Sequence, residues 1–286
     1  MVVSQADKAE RFRALHERPG GFVIPNPWDA GTARMLAGLG YEALATTSGG
    51  FAITLGKRDG EGAVTRGEVL AHARALVQAT DLPVSADMEN GYGDEPEAVA
   101  ETVRLAASVG LVGCSIEDAT GDRHRPIYAK SHAVERIKAA VEAARSLPFA
   151  FTLTARAENF LRGQPDLDDT IERLQAFAAA GADVLYAPSL PDLATIRTVC
   201  ASVSRPLNVM VGPKNQCFPV GKLVEAGVRR ISLGPTFFRA AMTAFLRAAR
   251  EVKEQGTFAF ADDTVTFREL NALMTARRTL DAKRTS

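Results

Sequence analysis

The sequence predicts a (β/α)8 barrel, the TIM-type α/β fold, carrying one catalytic domain. Three observations support this expectation. Short β-rich runs alternate with amphipathic helical stretches through eight cycles. The strand runs are continuously apolar, as parallel strands are when helices cover their outer face. Helices end at glycines just before the next strand, a C-terminal position that favours positive φ. An open doubly wound sheet is the competing fold, but it usually has about five or six strands and reverses their order.

The first cycle runs from GFVIPNP (21–27) to DAGTARMLAGLG (29–40), with Asp29 placed to cap the helix and Gly40 to end it. EALATTS (42–48) is followed, after a glycine-rich insertion, by TRGEVLAHARALVQATD (65–81). LPVSADME (82–89) leads to EPEAVAETVRLAASVG (95–110). LVGCSIEDA (111–119) leads to SHAVERIKAAVEAARSL (131–147), where Ser131 is the candidate cap. FAFTLTARA (149–157) leads to LDDTIERLQAFAAAG (167–181), and ADVLYAPS (182–189) to DLATIRTVCASV (192–203), with Asp192 as cap. PLNVMVG (206–212) precedes FPVGKLVEAGV (218–228), and RRISLGP (229–235) precedes TFFRAAMTAFLRAAREVKEQ (236–255). Gly110, Gly181 and Gly227 repeat the stop seen at Gly40. Residues 1–20 then form an N-terminal helix, 21–255 the barrel, and 256–286 a helical extension through FRELNALMTARR (267–278).

Such barrels run to about 250 residues as one domain, which a chain of 286 residues accommodates. Basic and acidic residues are equal at 34 each, so no charge excess favours nucleic acid or an anionic membrane. No apolar run approaches the ~20 residues of a membrane span, and the N-terminus lacks the apolar stretch of a signal peptide. Cys114, Cys200 and Cys217 are odd in number and lack metal-site spacing. Reduced thiols and a cytoplasmic location are expected.

Chemistry in these barrels sits at the C-terminal strand ends, and polar residues gather there. Thr46, Thr47 and Ser48 follow strand two, Asp87 and Glu89 strand three, Glu117 and Asp118 strand four, and Arg156 and Glu158 strand five, while Asn208 lies on strand seven. Asp87 and Glu89 are two apart and share one side of an extended strand; Glu117, one strand over, closes a three-carboxylate cluster. Oxygen-only ligation without a nearby histidine suits Mg2+ or Mn2+. The same carboxylates would also serve as ion-pair partners of Arg156 or as caps for the helix near Glu95, and the pattern alone leaves both readings open. SGG (48–50) offers backbone N–H groups to an anion or makes an ordinary turn. GKRDGEG (56–62), containing Asp59, is a lid or a solvated loop. Trp28 and Phe51 either wall the pocket or pack, and Tyr186, at the end of strand six, either donates a phenolic hydrogen bond or fills the barrel core. His16, His72 and His132 fall on helices and are expected at the surface.

The segments PNPWDAGTARMLAGLGYEALATTSGG (25–50), ADMENGYG (86–93), GCSIEDA (113–119) and TARAENF (154–160) together resemble the isocitrate lyase/phosphoenolpyruvate mutase superfamily, in the same order over residues 23–250. The resemblance implies a (β/α)8 barrel whose eighth helix swaps onto a neighbouring subunit, hence a homodimer or homotetramer. The apolar faces of 236–255 and 267–278 need such a partner. It also implies Ser48 and Gly49 as the backbone clamp on the substrate carboxylate, Asp59 as an acid near the metal and Asp87 as the direct metal ligand. Glu89 and Glu117 become outer carboxylates acting through waters, Arg156 a contact to substrate oxygens, and Asn208 a polar group at the distal end. Glu89 stands where many members have aspartate.

One departure follows Glu117. Isocitrate and methylisocitrate lyases carry a Lys-Lys-Cys-Gly-His lid with a catalytic cysteine, whereas here the stretch reads ATGDRHRPIYAKSHAVE (119–135). It has neither that cysteine nor the Lys-x-Asn signature of the mutase and phosphonopyruvate hydrolase branches. Arg123, His124, Arg125, Tyr128 and Lys130 are substitute proton donors and anion contacts, or else a solvated basic loop. The activity implied is a Mg2+- or Mn2+-dependent carbon–carbon lyase or decarboxylase acting on a small 2-oxo or 2-hydroxy polycarboxylate (isocitrate, methylisocitrate or oxaloacetate-like) through an enolate held at the metal. Arg156, Asp59, Glu117 and His124 are its catalytic candidates. Ser48, Gly49, Trp28, Arg156 and Asn208 are its substrate contacts, and Asp87, Glu89 and Glu117 its metal set. The alternatives are phosphonopyruvate hydrolase or phosphoenolpyruvate mutase chemistry, and a non-catalytic 2-oxo-acid binder. The expected partner is a small molecule, with no nucleic acid and no membrane.

Overall fold

Eight parallel strands wrap in the order β1-β8-β7-β6-β5-β4-β3-β2 in a computed structural model that describes residues 3–212 and 217–275. The strands are β1 (Phe22–Ile24), β2 (Leu44–Ala45), β3 (Val84–Asp87), β4 (Gly113–Glu117), β5 (Thr152–Arg156), β6 (Val184–Tyr186), β7 (Leu207–Met210) and β8 (Arg230–Ser232). The helices are α1 (Gln5–Glu17), α2 (Ala30–Gly38), α3 (Ser48–Thr54), α4 (Arg66–Ala79), α5 (Pro96–Ser108), α6 (Lys130–Arg145), α7 (Leu167–Ala179), α8 (Leu193–Ser202), α9 (Val220–Glu225), α10 (Thr236–Gln255) and α11 (Phe267–Thr275). This is the predicted (β/α)8 barrel, with α3 as an extra turn after β2 that the hydrophobic period did not reveal.

The β1–β2 seam is where the sheet closes, and its chemistry is local. Pro25 and Pro27 deprive the end of β1 of backbone donors. Ala45 N donates to Pro25 O at 3.0 Å, and the Asn26 side chain does the rest. Its Nδ2 donates to Thr46 O at 2.8 Å, while its Oδ1 accepts from Leu233 N and Gly234 N. One amide side chain thereby ties β2 to the end of β8 and meets the demand of buried backbone groups for partners.

Outside the strands, alanine-rich helix faces allow close packing. Val99, Val103 and Ala106 of α5 and Ile137 and Ala140 of α6 are fully buried or nearly so within the main apolar cluster. Gly40, Gly110, Gly181 and Gly227 take φ of 94°, 98°, 103° and 100°, as their stop positions require. Asp29 and Asp192 cap their helices through Thr32 N and Thr195 N, both at 2.7 Å. Ser131 does not: α6 begins one residue earlier, after Ala129, and has no side-chain cap.

His16 corrects the expectation of surface histidines. It is 7% exposed, because α1 lies against the base of the barrel with Ala9, Phe12 and Leu15 packed on Phe22, Ile24 and Val112. The ring stands edge-on to Phe12 and Phe22, at 4.7 and 5.0 Å between centroids. Its Nδ1–H donates to Phe12 O, and Nε2 has no partner among the described residues.

In α10, Phe238 is the buried residue, while Phe245 and Leu246 are 63% and 47% exposed. Arg34 of α2 donates from Nη1 to Met274 O of α11. The end of the expected extension, 276–286, lies outside the described residues. No helix among those described is long and apolar enough to cross a membrane.

Candidate active site

A cavity of about 220 Å³ opens at the C-terminal strand ends, lined in part by Ser48, Gly49, Asp59, Asp87, Arg156 and Asn208. A second, of about 450 Å³, is lined by Glu89, Tyr92, Glu117 and Arg162 among others. The strand-end carboxylates thus face open space on the rim where barrel chemistry resides.

Asp87 is the most constrained of them. Its Oδ2 accepts from Ser48 Oγ at 2.9 Å and its Oδ1 from Glu89 N at 3.1 Å, while its own N–H donates to Thr46 Oγ1. The chain then turns through left-handed backbone at Glu89 (φ 47°), Gly91 (φ 84°) and Tyr92 (φ 59°). Two non-glycine residues in that region store strain of the kind that collects at functional sites. Burial, with Asp87 and Asp59 nearby, pushes the Glu89 carboxyl up to about 7. Burial and Asp87 also raise Asp59.

Beside this acidic group runs a compensated network. Arg156 Nη1 stands 3.2 Å from Glu117 Oε2 and 3.7 Å from Asp87 Oδ2, and its Nε lies against Glu158. Arg162 bridges the same pair, at 3.0 Å to Glu117 and 2.9 Å to Glu158. Burial works against the charged form of Arg156, but Glu158 and Glu117 outweigh it and hold the guanidinium charged. For Glu117, burial and Glu158 push the carboxyl up, against the pull of Arg156 and Arg162. The guanidinium of Arg156 also sits over the Tyr186 ring, 4.9 Å from its centroid.

Ser48, Gly49, Asp59, Asp87, Arg156 and Asn208 therefore meet at one cavity, with Glu89 and Glu117 at its neighbour. Two candidates do not join them. Trp28 lines neither cavity; it packs edge-on against Phe238 at 5.4 Å. His124 is exposed at the tip of the 119–127 loop, where its backbone N–H donates to Asp122 Oδ1. Phe51 stacks on His72 at 3.9 Å, and Cys217 Sγ turns to Gly212 O.

Sequence reasoning missed Arg162 and Arg230. Arg162 lies in a turn six residues beyond Arg156, with no periodic signal to place it. Arg230 begins β8, at the strand end that the barrel rule assigns to stability, yet it lines the 220 Å³ cavity.

No group of three or more His, Cys, Asp or Glu among the described residues is arranged to hold a metal ion unaided. The donor set nevertheless fits a hard divalent cation that keeps several waters. Asp59, Asp87 and Glu89 supply oxygen alone, and burial first, then the neighbouring carboxylates, raise Asp59 and Glu89.

Residues 12–253 match the family model described as phosphoenolpyruvate phosphomutase. A crystal structure from Burkholderia cenocepacia J2315, provisionally described as a lyase/mutase, is 56% identical and superposes with a TM-score of 0.92 over 95% of this chain and 97% of that one. The 2-methylisocitrate lyase of Halalkalibacterium halodurans is 30% identical over 262 residues, covering 89% of this chain and 85% of the relative. A 2,3-dimethylmalate lyase, itself a member of the PEP mutase/isocitrate lyase superfamily, is 26% identical with a TM-score of 0.83 over 93% and 94% of the two chains.

Proposed function

The chain belongs to the phosphoenolpyruvate phosphomutase family of the isocitrate lyase/phosphoenolpyruvate mutase superfamily, and on that premise we propose that it is a divalent-metal-dependent lyase or decarboxylase. It breaks a carbon–carbon bond at C3 of a small 2-oxo or 2-hydroxy polycarboxylate. The observation that carries this reading is Asp87, a carboxylate fixed by Ser48 Oγ at 2.9 Å and set 3.7 Å from Arg156 at the cavity mouth.

Mg2+ or Mn2+, when bound, supplies Lewis acidity to the substrate's carboxylate and keto oxygens. Asp87 would hold it directly, and Asp59, Glu89 and Glu117 through waters. Ser48 and Gly49 occupy the first turn of α3, where backbone N–H groups lack intrahelical acceptors, and would bind the substrate carboxylate. Arg156, kept charged by Glu117 and Glu158, directs positive potential at the oxygen that gains charge as the bond breaks. Asn208 would meet the far end of the substrate. A helix swap through α10, giving a homodimer or homotetramer, belongs to the same proposal.

The test is a panel of oxaloacetate, isocitrate, methylisocitrate and phosphonopyruvate with Mg2+. Pyruvate, glyoxylate or CO2 released from one of the first three is the expected result. Phosphate from phosphonopyruvate would favour phosphorus–carbon chemistry, the second reading, which the match to a phosphomutase family model supports. Binding without turnover of any of them would identify a 2-oxo-acid binder.

A further inference from the structure

Among the described residues Arg230 is a buried cation without an anionic partner. It is 4% exposed, its Nε donates to Asn208 Oδ1 at 2.9 Å and its Nη1 to Thr154 Oγ1 at 3.0 Å. Both partners are neutral, and Nη2 has no acceptor among the described residues. Guanidinium offers five donors in a planar fork suited to carboxylate and phosphonate. Holding such a charge away from water is costly unless an anion joins it. Burial accordingly lowers its proton affinity, to a pKa of about 10. The side chain nevertheless lines the 220 Å³ cavity, together with Asn26, Tyr186, Asn208 and Ser232.

Strand register shows what this position means. Arg156 pairs with Tyr186, Tyr186 with Asn208, and Asn208 with Arg230, a single row across β5, β6, β7 and β8. Residues in one register row of a parallel sheet point to the same face. Because barrel strands tilt by about 36° to the axis, such a row runs obliquely down the wall. The row begins at the mouth with Arg156, which carboxylates already surround, and ends at Arg230, which none among the described residues pairs with.

We propose that Arg230 is the residue that receives the distal anionic group of the acid proposed above, and that it selects among such acids at the cavity floor. The proposal rests on the mouth being the 2-oxo-acid site and adds the floor that selects the substrate. The cavity favours a short chain, since about 220 Å³ lies below the roughly 300–1,000 Å³ typical of drug-sized ligands.

Calorimetric titration of the full chain with Mg2+ tests this through three probes. Oxalate needs only the mouth, whereas succinate and 3-phosphonopropionate carry a second anion that the proposal places at the floor. Arg230→Met is expected to leave oxalate binding unchanged and to weaken succinate or 3-phosphonopropionate by about tenfold or more. The probe that loses more identifies the anion, and Arg230→Lys should recover part of the loss. Undiminished binding of both longer probes to Arg230→Met would overturn the proposal. Failure of oxalate to bind the unaltered chain would instead remove the mouth reading on which it rests. If Arg230→Met does not fold, the unaltered enzyme decides through butyrate, a succinate without its second charge. Butyrate should bind about tenfold or more weakly than succinate, and equal affinity would refute a floor cation.

Discussion

Oδ2 of Asp59 lies 2.7 Å from the point where a β-carbon on Gly49 would stand. The first turn of α3 therefore admits the Asp59 carboxylate only because residue 49 has no side chain. Gly49→Ala is expected to push Asp59 away from Asp87 and lower kcat/KM by about tenfold or more. The atom displaced is the end of one side chain on a loop, so stability should change by no more than about 1 kcal/mol. Kinetics alongside thermal unfolding checks both halves, and unaltered kinetics would mean that Asp59 takes no part.

Asp87→Ala should abolish Mg2+ binding and lower turnover by about a hundredfold or more. The fold should survive, because Arg156 keeps Glu117 and Glu158 as partners and Glu89 loses a repulsive neighbour. Normal Mg2+-dependent activity in this variant would end the metal assignment.

How much of this was legible in the chain depends on the length scale of the signal. The eight cycles were legible because an apolar strand followed by an amphipathic helix repeats, and Gly40, Gly110, Gly181 and Gly227 punctuate it. Asp87, Glu117 and Arg156 could be placed at the mouth because each closes its strand. Arg230 opens its strand, and only the in-register row through Asn208 explains how it lines the cavity. Trp28 follows a strand yet turns outward, since Phe238 of α10 supplies a packing surface that no local pattern encodes. His16 looked like a surface residue on a charged helix, but what covers it is β1, docked from beyond its own helix.

That burial has a pH consequence. His16, with folded pKa lowered to about 3 chiefly by burial and then by Arg230, stays neutral in the native state. An unfolded histidine titrates near 6.5, so below that value the unfolded chain binds the extra proton and stability falls. The contribution is complete above pH 6.5, is lost progressively toward pH 3, and has cost about 2 kcal/mol by pH 5. His16→Phe removes this titration and an unpartnered Nε2, so its unfolding free energy should decline less between pH 7 and pH 5 than that of the parent. Equal declines in denaturant titrations would show that His16 protonates freely in the native state.

Along α10, Phe245, Leu246 and Val252 are exposed large apolar residues on one helix, and such a surface requires cover in water. A second copy of the chain is the expected cover. Light scattering should give a dimer or tetramer at micromolar concentration, and Phe245→Glu with Leu246→Glu should shift it toward monomer. A parent chain that scatters as a 30.5 kDa monomer would refute the exchange.

The 119–131 segment joins a fixed base to an exposed tip. At the base, Ala119 bridges Ile127, Tyr128 N donates to Asp118 O, and Arg173 Nη1 holds both Asp118 Oδ2 and Tyr128 O. Thr120 and Gly121 line the cavity that contains Glu117, so the loop's first residues border it. At that tip, Arg123, His124 and Arg125 are exposed, and Arg125 has Asp122 as an ion-pair partner. Lys130 is committed elsewhere, to Glu172 on α7. If the tip closes over a bound polyanion, neutralising Arg123 and Arg125 together should raise KM by about tenfold and lower kcat while sparing metal affinity. His124→Asn should lower kcat alone if its ring delivers a proton after closure. Lys130→Gln should change neither constant, because its partner lies outside the mouth. Trypsin cleavage after Arg123 should slow when Mg2+ and oxaloacetate are added together. The bond after Arg125, which precedes a proline, serves as the resistant internal control. Cleavage that proceeds at the same rate under saturating ligand would mean that the tip stays open and that the enzyme shelters its reacting atoms by the barrel walls alone.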